Sequence, residues 1–155
     1  MVTEIQIIEV FFEAMLKGYA NSDAKKSSIS ILPNSKYTTY KKGNFLVIDL
    51  WFTSKQNNKS FGITIIWHKL SPVWFMVYAG EYEKEAIPFL KKILAQTYTS
   101  KKFYGGRGVP SCHDSGMHYS NNLPVNVFKD FSGKETVYKN QERLGWHKYW
   151  GMSLI

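Results

Sequence analysis

From Ile8 onward, apolar side chains recur at Ile8, Phe11, Phe12, Met15, Leu16 and Tyr19, the three- and four-residue spacing that lines one face of a helix. The spacing predicts a helix over roughly residues 3 to 20. The same period returns at Ile87, Leu90, Leu94 and Tyr98, with Lys84, Lys91, Lys92 and Gln96 off that face. Pro88 falls inside this stretch, and a proline fits a helix only in the first turn, where its missing N–H is no loss. The second helix is therefore expected to begin near Glu85.

Between the helices the pattern changes. FLVIDLWF (45–52), FGITIIWH (61–68) and PVWFMVYAG (72–80) are β-branched and aromatic runs separated by polar or proline-bearing turns, which predicts an antiparallel meander. After the second helix come a glycine-rich stretch, FYGGRGVPSCHDSG, and strand-like runs near 117–121, 125–130, 133–139 and 143–150. The expected class is α+β, an antiparallel sheet with two amphipathic helices. A chain of 155 residues without an internal linker fits one domain, 1–155.

The chain is also self-similar. Gly62, Ile66, Trp67, Val73, Tyr78 and Gly80 match Gly133, Val137, Tyr138, Leu144, Tyr149 and Gly151, each pair 71 positions apart. Upstream, Ile8, Phe11, Met15, Tyr19 and Tyr40 match Ile87, Leu90, Leu94, Tyr98 and Tyr119, each pair 79 apart. An insertion of the polar segment TSKQNNKS (53–60) reconciles the two offsets, since polar loops tolerate insertion. The expectation is an internal duplication with halves 3–80 and 82–151, each a helix and about four strands. The strands form either one continuous sheet or two half-sheets, with a groove where the halves meet. Chance matching of common core residue types is the competing explanation.

Charge adds one constraint. Lys and Arg number 20 against 12 Asp and Glu, a net charge of +8, yet Arg107 and Arg143 are the only arginines. Guanine readout and phosphate forks favour arginine, so weak, non-specific nucleic-acid binding is the most this balance implies. One cysteine, Cys112, leaves no internal disulfide, and neither a signal peptide nor a membrane span is legible. A cytoplasmic protein with no membrane partner is expected, and pairing of strand edges could make a homodimer.

Candidate chemistry centres on FYGGRGVP. Gly105, Gly106 and Gly108 permit close backbone approach around Arg107, which could hold a carboxylate or phosphate; the alternative is that Arg107 pairs internally with a carboxylate such as Glu135. No P-loop or dinucleotide fingerprint is present, so no cofactor is expected. Cys112, His113, Asp114 and His118 have ligand chemistry but not metal-site spacing, and no metal is expected. In the C-terminal run, strand alternation places Trp146, Lys148 and Trp150 on one face and His147, Tyr149 and Gly151 on the other. A ligand groove would draw on Arg107, Tyr104, Glu135, Trp74, Tyr78, Trp146, His147 and Tyr149.

The runs Pro72, Val73, Trp74, Met76, Tyr78, Gly80 and Phe131, Ser132, Gly133, Glu135, with TYTSKKFYGGRG before them, resemble a bacterial family defined only as a domain of unknown function. The resemblance covers about residues 19 to 155, and some members of that family follow a helix-turn-helix DNA-binding domain. This chain departs from the family pattern, with Val77, Tyr78, Ala79, Gly80 where the family has Asn-Tyr-Tyr-Gly, and it shows only one helix before its first strands. The resemblance implies a regulatory or sensing role. The leading expectation is a module that binds an anionic small molecule or effector. Two alternatives stay open: an enzyme of unknown type using Arg107, His113, His118, His147 or Tyr149, and a lysine-rich nucleic-acid or protein-interaction module.

Overall fold

The computed structural model describes residues 1–155. Helix α1 spans Glu4–Lys17 and α2 spans Ala86–Thr99. Thr3 starts α1 with a capping box: its hydroxyl accepts from the Gln6 amide while the Gln6 side chain accepts from the Thr3 amide, satisfying two donors a helix start leaves free. In α2, Pro88 is the third residue, inside the first turn as required.

Eight strands form two meanders: β1 (Ser35–Lys42), β2 (Phe45–Thr53), β3 (Lys59–His68) and β4 (Ser71–Tyr82) before α2, then β5 (Ser111–Asp114), β6 (Met117–Val127), β7 (Asp130–Lys139) and β8 (Glu142–Ser153). Strands β1 and β5 were not among the expected runs, and the runs expected near 117–121 and 125–130 are one irregular strand, β6, whose register shifts between Asn122 and Val125. They form one continuous antiparallel sheet in the order β1-β2-β3-β4-β8-β7-β6-β5. Two four-strand meanders are thus joined edge to edge through β4 and β8, and Tyr78 stands directly opposite Tyr149 in that pair.

Two details of the sequence reading are corrected. The segment 53–60 is not an inserted loop, because Lys59 and Ser60 already pair in β3, and β3 and β7 begin at Lys59 and Asp130, the same 71 positions apart as their glycines. The longer connection of the first half is instead 18–34, between α1 and β1, against 100–110 between α2 and β5. Tyr40 and Tyr119 do not correspond either: Tyr40 lies on the edge strand β1 and Tyr119 on β6 opposite Val137. Hairpin register fixes strand correspondence, and sequence similarity between single tyrosines cannot.

Both helices cover one face of the sheet. Ile7, Phe11, Leu90 and Leu94 from the helices bury against Val47, Ile66, Trp74, Met76, Tyr119, Phe131 and Val137 from the strands in one core. The opposite face is open, and its two halves differ. On β2 and β3 it presents Leu46, Ile48, Leu50, Phe52, Phe61, Ile63, Ile65 and Trp67, continued by Phe75 and Val77 on β4 and Trp150 on β8. On β6 and β7 it presents Ser120, Asn122, Ser132 and Lys134. The sheet edges are guarded: β1 carries Lys36, Lys41 and Lys42, and β5 is four residues long, both devices against edge pairing. No helix is long and apolar enough to cross a membrane.

Candidate functional site

A cavity of about 210 Å³ lies between the helices and the first four strands. Met15 and Tyr19 at the end of α1, Ile87 and Tyr98 of α2, Asp49 and Trp51 of β2, Ser60 and Thr64 of β3, and Met76, Tyr78 and Tyr82 of β4 line it. From the chain after α2, only Arg107 and His147 reach it. Both halves therefore contribute to its lining, and its strand wall lies mainly on β2, β3 and β4 under the helices.

The walls are aromatic. Tyr19 meets Trp51 edge to face at 5.8 Å between centroids, and Tyr78 stacks on His147 at 5.6 Å. The Tyr78 ring can lie across β3 because its register partner is Gly62, where any Cβ would sit 2.5 Å from the ring. Its hydroxyl donates to Asp49 Oδ1 at 2.9 Å, and so does Thr64 Oγ1. Both bonds fall on the same oxygen, which leaves Oδ2 free of them.

Behind this wall Glu135, fully buried on β7, acts as a hub. Arg107 Nε and Nη2 both donate to Glu135 Oε1, and Tyr119 donates to Oε2 at 2.7 Å. The guanidinium carbon lies 5.6 Å from the Tyr78 ring centre, and no hydrogen bond occupies its Nη1. Only 5 % of Arg107 is exposed. Of the two sequence readings of this residue, internal pairing with Glu135 is what the fold builds, and Arg107 does not project into an open groove. Its charge is already neutralised inside the wall.

Burial and charge set the protonation states. Desolvation alone would raise Glu135, but the adjacent Arg107 charge and the hydrogen bonds from Arg107 and Tyr119 outweigh it and hold the carboxyl below its ordinary value. Asp49 is pushed up, because burial outweighs the two hydroxyl donors. His147 is pushed down to about 4 by burial and by the Arg107 charge. The imidazole is neutral near pH 7, with Nε2 at 3.2 Å from Ser60 Oγ. Its Nδ1 has no hydrogen bond, and Glu135 Oε1 is 3.8 Å away. A serine, a histidine and a glutamate stand in sequence, but the last link is too long and the histidine too weak a base for general base work near neutral pH. The arrangement suits hydrogen-bonding recognition better than proton transfer.

The other predicted site residues scatter. Trp74 is core, stacked on Phe128 and Phe131. Tyr149 is buried one strand further on, donating to Asn121 Oδ1 at 2.6 Å. Tyr104 contributes a backbone carbonyl to Asn121 and to the Arg107 amide. Trp146 sits on the opposite face, its Nε1 donating to Glu81. His113 and His118 stack at 3.9 Å on the outer face of the β5–β6 hairpin, and Asp114 pairs with Lys92. No group of three or more His, Cys, Asp or Glu converges as a metal site. Sequence reasoning passed over Asp49, Ser60, Thr64 and Tyr82. One signal was available: Asp49 interrupts an otherwise apolar run, FLVIDLWF, and a carboxylate there must find partners.

The fold and site define a single antiparallel α+β sheet with a small cavity of mixed aromatic and polar lining, walled in part by a buried ion pair. Residues 49–154 match the family described as a domain of unknown function, DUF5680, and the chain belongs to it. The matched span runs from the cavity carboxylate Asp49 to the end of β8, leaving α1 and β1 outside. No curated protein matches the chain, and no solved structure does.

Proposed function

We propose that the protein is a small-molecule-binding module of the regulatory or sensing kind, with the cavity under α1 and α2 as its site. The observation that carries this is a concave, aromatic-walled space in which polar atoms are left over: Arg107 Nη1 as a donor and Asp49 Oδ2 as an acceptor. Convergent polar groups in an apolar pocket are the general signature of a ligand site. The volume, about 210 Å³, is below the ~300–1,000 Å³ of pockets that take drug-sized ligands, so the ligand is small. Because Glu135 neutralises Arg107, the site favours a flat, uncharged, heteroaromatic compound with an acceptor edge toward Arg107 over an anion held by a free charge. The matching boundaries of β3 with β7 and β4 with β8, and the facing of Tyr78 and Tyr149, support descent of the two halves from a duplicated unit.

A panel of small planar heteroaromatic compounds, with aliphatic carboxylates as comparators, tests the proposal by thermal unfolding and calorimetric titration of wild type and Ser60→Leu. Saturation at 100 times Kd stabilises a folded protein by about 2.7 kcal/mol. Heteroaromatic compounds are expected to raise the unfolding temperature of wild type and not of the filled variant. If Ser60→Leu is more stable than wild type and no compound stabilises either protein, the cavity is a packing defect and the proposal fails.

A further inference from the structure

Strands β2 and β3 are apolar on both faces. Asp49 and Thr64 excepted, the sequences FLVIDLWF and FGITIIWH have no polar outer set, the pattern of a sheet buried on both sides rather than of one with a wetted face. Helices cover one side. On the other, Ile48 and Leu50 of β2, Ile63 and Ile65 of β3 and Phe75 and Val77 of β4 form a flat patch with no charged side chain among them. With Leu46, Phe52, Phe61 and Trp67 at its ends and Trp150 of the neighbouring β8 beside it, the apolar area spans four strands, which spacing and rise make about 20 Å by 25 Å, on the order of 500 Å². That is at the upper end of what a monomer exposes, and two such faces together bury about 1,000 Å², the least expected of a specific interface.

Its relief is self-complementary. Phe61 on β3 is the most exposed aromatic of the patch, at 57 %, and is backed by Phe52, stacked at 4.8 Å. Its register partner on β4 is Ala79. The small alanine leaves a depression of about 270 Å³ walled by Val77, Lys148 and Trp150. Because knob and socket are register partners on neighbouring strands, a twofold axis running along the strands between β3 and β4 places each Phe61 over the other copy's Ala79. An isologous interface requires this reciprocity. Strands related in this way stay aligned, as stacked sheets do.

We propose that the open face of β2–β4 is the interface with a second copy of this chain, with Phe61 of each copy seated in the Ala79 socket of the other. The occupant is a second copy because a lipid surface would not need a socket, and because the patch supplies both the knob and its complement. The interface lies on the side of the sheet opposite the cavity, so it stands independently of ligand binding.

Sedimentation equilibrium and light scattering on the whole chain test this at micromolar concentration. Wild type is expected at twice the chain mass. Phe61→Lys, which buries a charge, and Ala79→Leu, which fills the socket, should each weaken self-association about tenfold or more, while Asn122→Lys at an exposed position on the polar half of the same face should leave it intact. Circular dichroism melts establish that the variants remain folded. A wild type that stays at the single-chain mass overturns the proposal, and if that monomer binds vesicles of neutral phospholipid through Phe61 the patch is a lipid surface instead. Dimers that survive both Phe61→Lys and Ala79→Leu place the interface elsewhere and also overturn it.

Discussion

In the first half of the sheet Tyr78 lies over Gly62 and donates to Asp49; in the second half Tyr149 lies over Gly133 and donates to Asn121. Above Tyr78 the space is the cavity. Above Tyr149 the loop 103–110 fills it: Gly105 to Gly108 are buried, Asn121 Nδ2 donates to the carbonyls of Tyr104 and Gly108, and the Gly108 amide donates to the Tyr119 hydroxyl. A Cβ at Gly105 would sit 2.6 Å from the Tyr149 ring, and one at Gly108 2.7 Å from Tyr119. Only a chain without side chains enters so closely. The connection after α1 has no such run, and its residues Ile31, Leu32, Pro33 and Asn34 stay outside. One backbone plan therefore gives a plugged half and an open half, and the difference is decided by a loop. The plug also delivers Arg107 into the wall of the open half.

If this contrast is right, the buried polar set of the plugged half should be essential to folding and that of the open half expendable. Glu135→Ala leaves the Arg107 guanidinium buried without its partner, which should cost about 3–5 kcal/mol in urea unfolding. A loss within that of an ordinary surface substitution would mean the pair is not what closes the second half.

The boundary between the halves should be pH-sensitive through His147. The unfolded imidazole takes a proton near its ordinary 6.5, whereas the folded one resists until about 4, so stability is complete above the unfolded value and falls as pH drops between the two. The linked loss is about 3 kcal/mol by pH 4. Glu135, held below its ordinary value, adds a further loss at still lower pH. Stability curves against pH for wild type and His147→Phe should diverge in slope across that window; parallel curves would remove His147 as the cause.

Gly105→Ala sharpens the comparison at the loop itself. Its positive φ of 63° and its contacts with Tyr149 and Leu123 should make alanine cost about 2–3 kcal/mol, the overpacking penalty plus a left-handed residue. Gly43, with φ 55° but nothing within 4 Å, should cost about 1 kcal/mol when changed to alanine. Equal costs would show that the loop is not tightly packed over Tyr149.

The smallest effect is expected in the open half. Burial disfavours the Asp49 carboxylate, so its neutral isostere, which can still accept from Thr64 and Tyr78, should leave stability unchanged or raise it by up to about 1 kcal/mol at neutral pH. Urea melts of Asp49→Asn decide this; a loss above that size would make the open half as dependent on its polar set as the plugged one.

The amphipathic helices and the six longer strands could be read from the chain, because side-chain period is a local property that burial of one face imposes directly. The edge strands could not: SKYTTYKK and SCHD carry polar residues on both faces, since one side of an edge is solvent. The Arg107 and Glu135 pairing was foreseeable as an alternative because a lone arginine within glycines must leave water with a carboxylate or not at all. Local pattern was thus enough for the two helices, the inner strands and the α+β class. Tertiary structure alone decided that the strands make one sheet, that Ser60 reaches His147, 87 positions away, and that a cavity remains on one side and not the other. Those features depend on which loop occupies the space above each half, a competition between distant segments that no local period records.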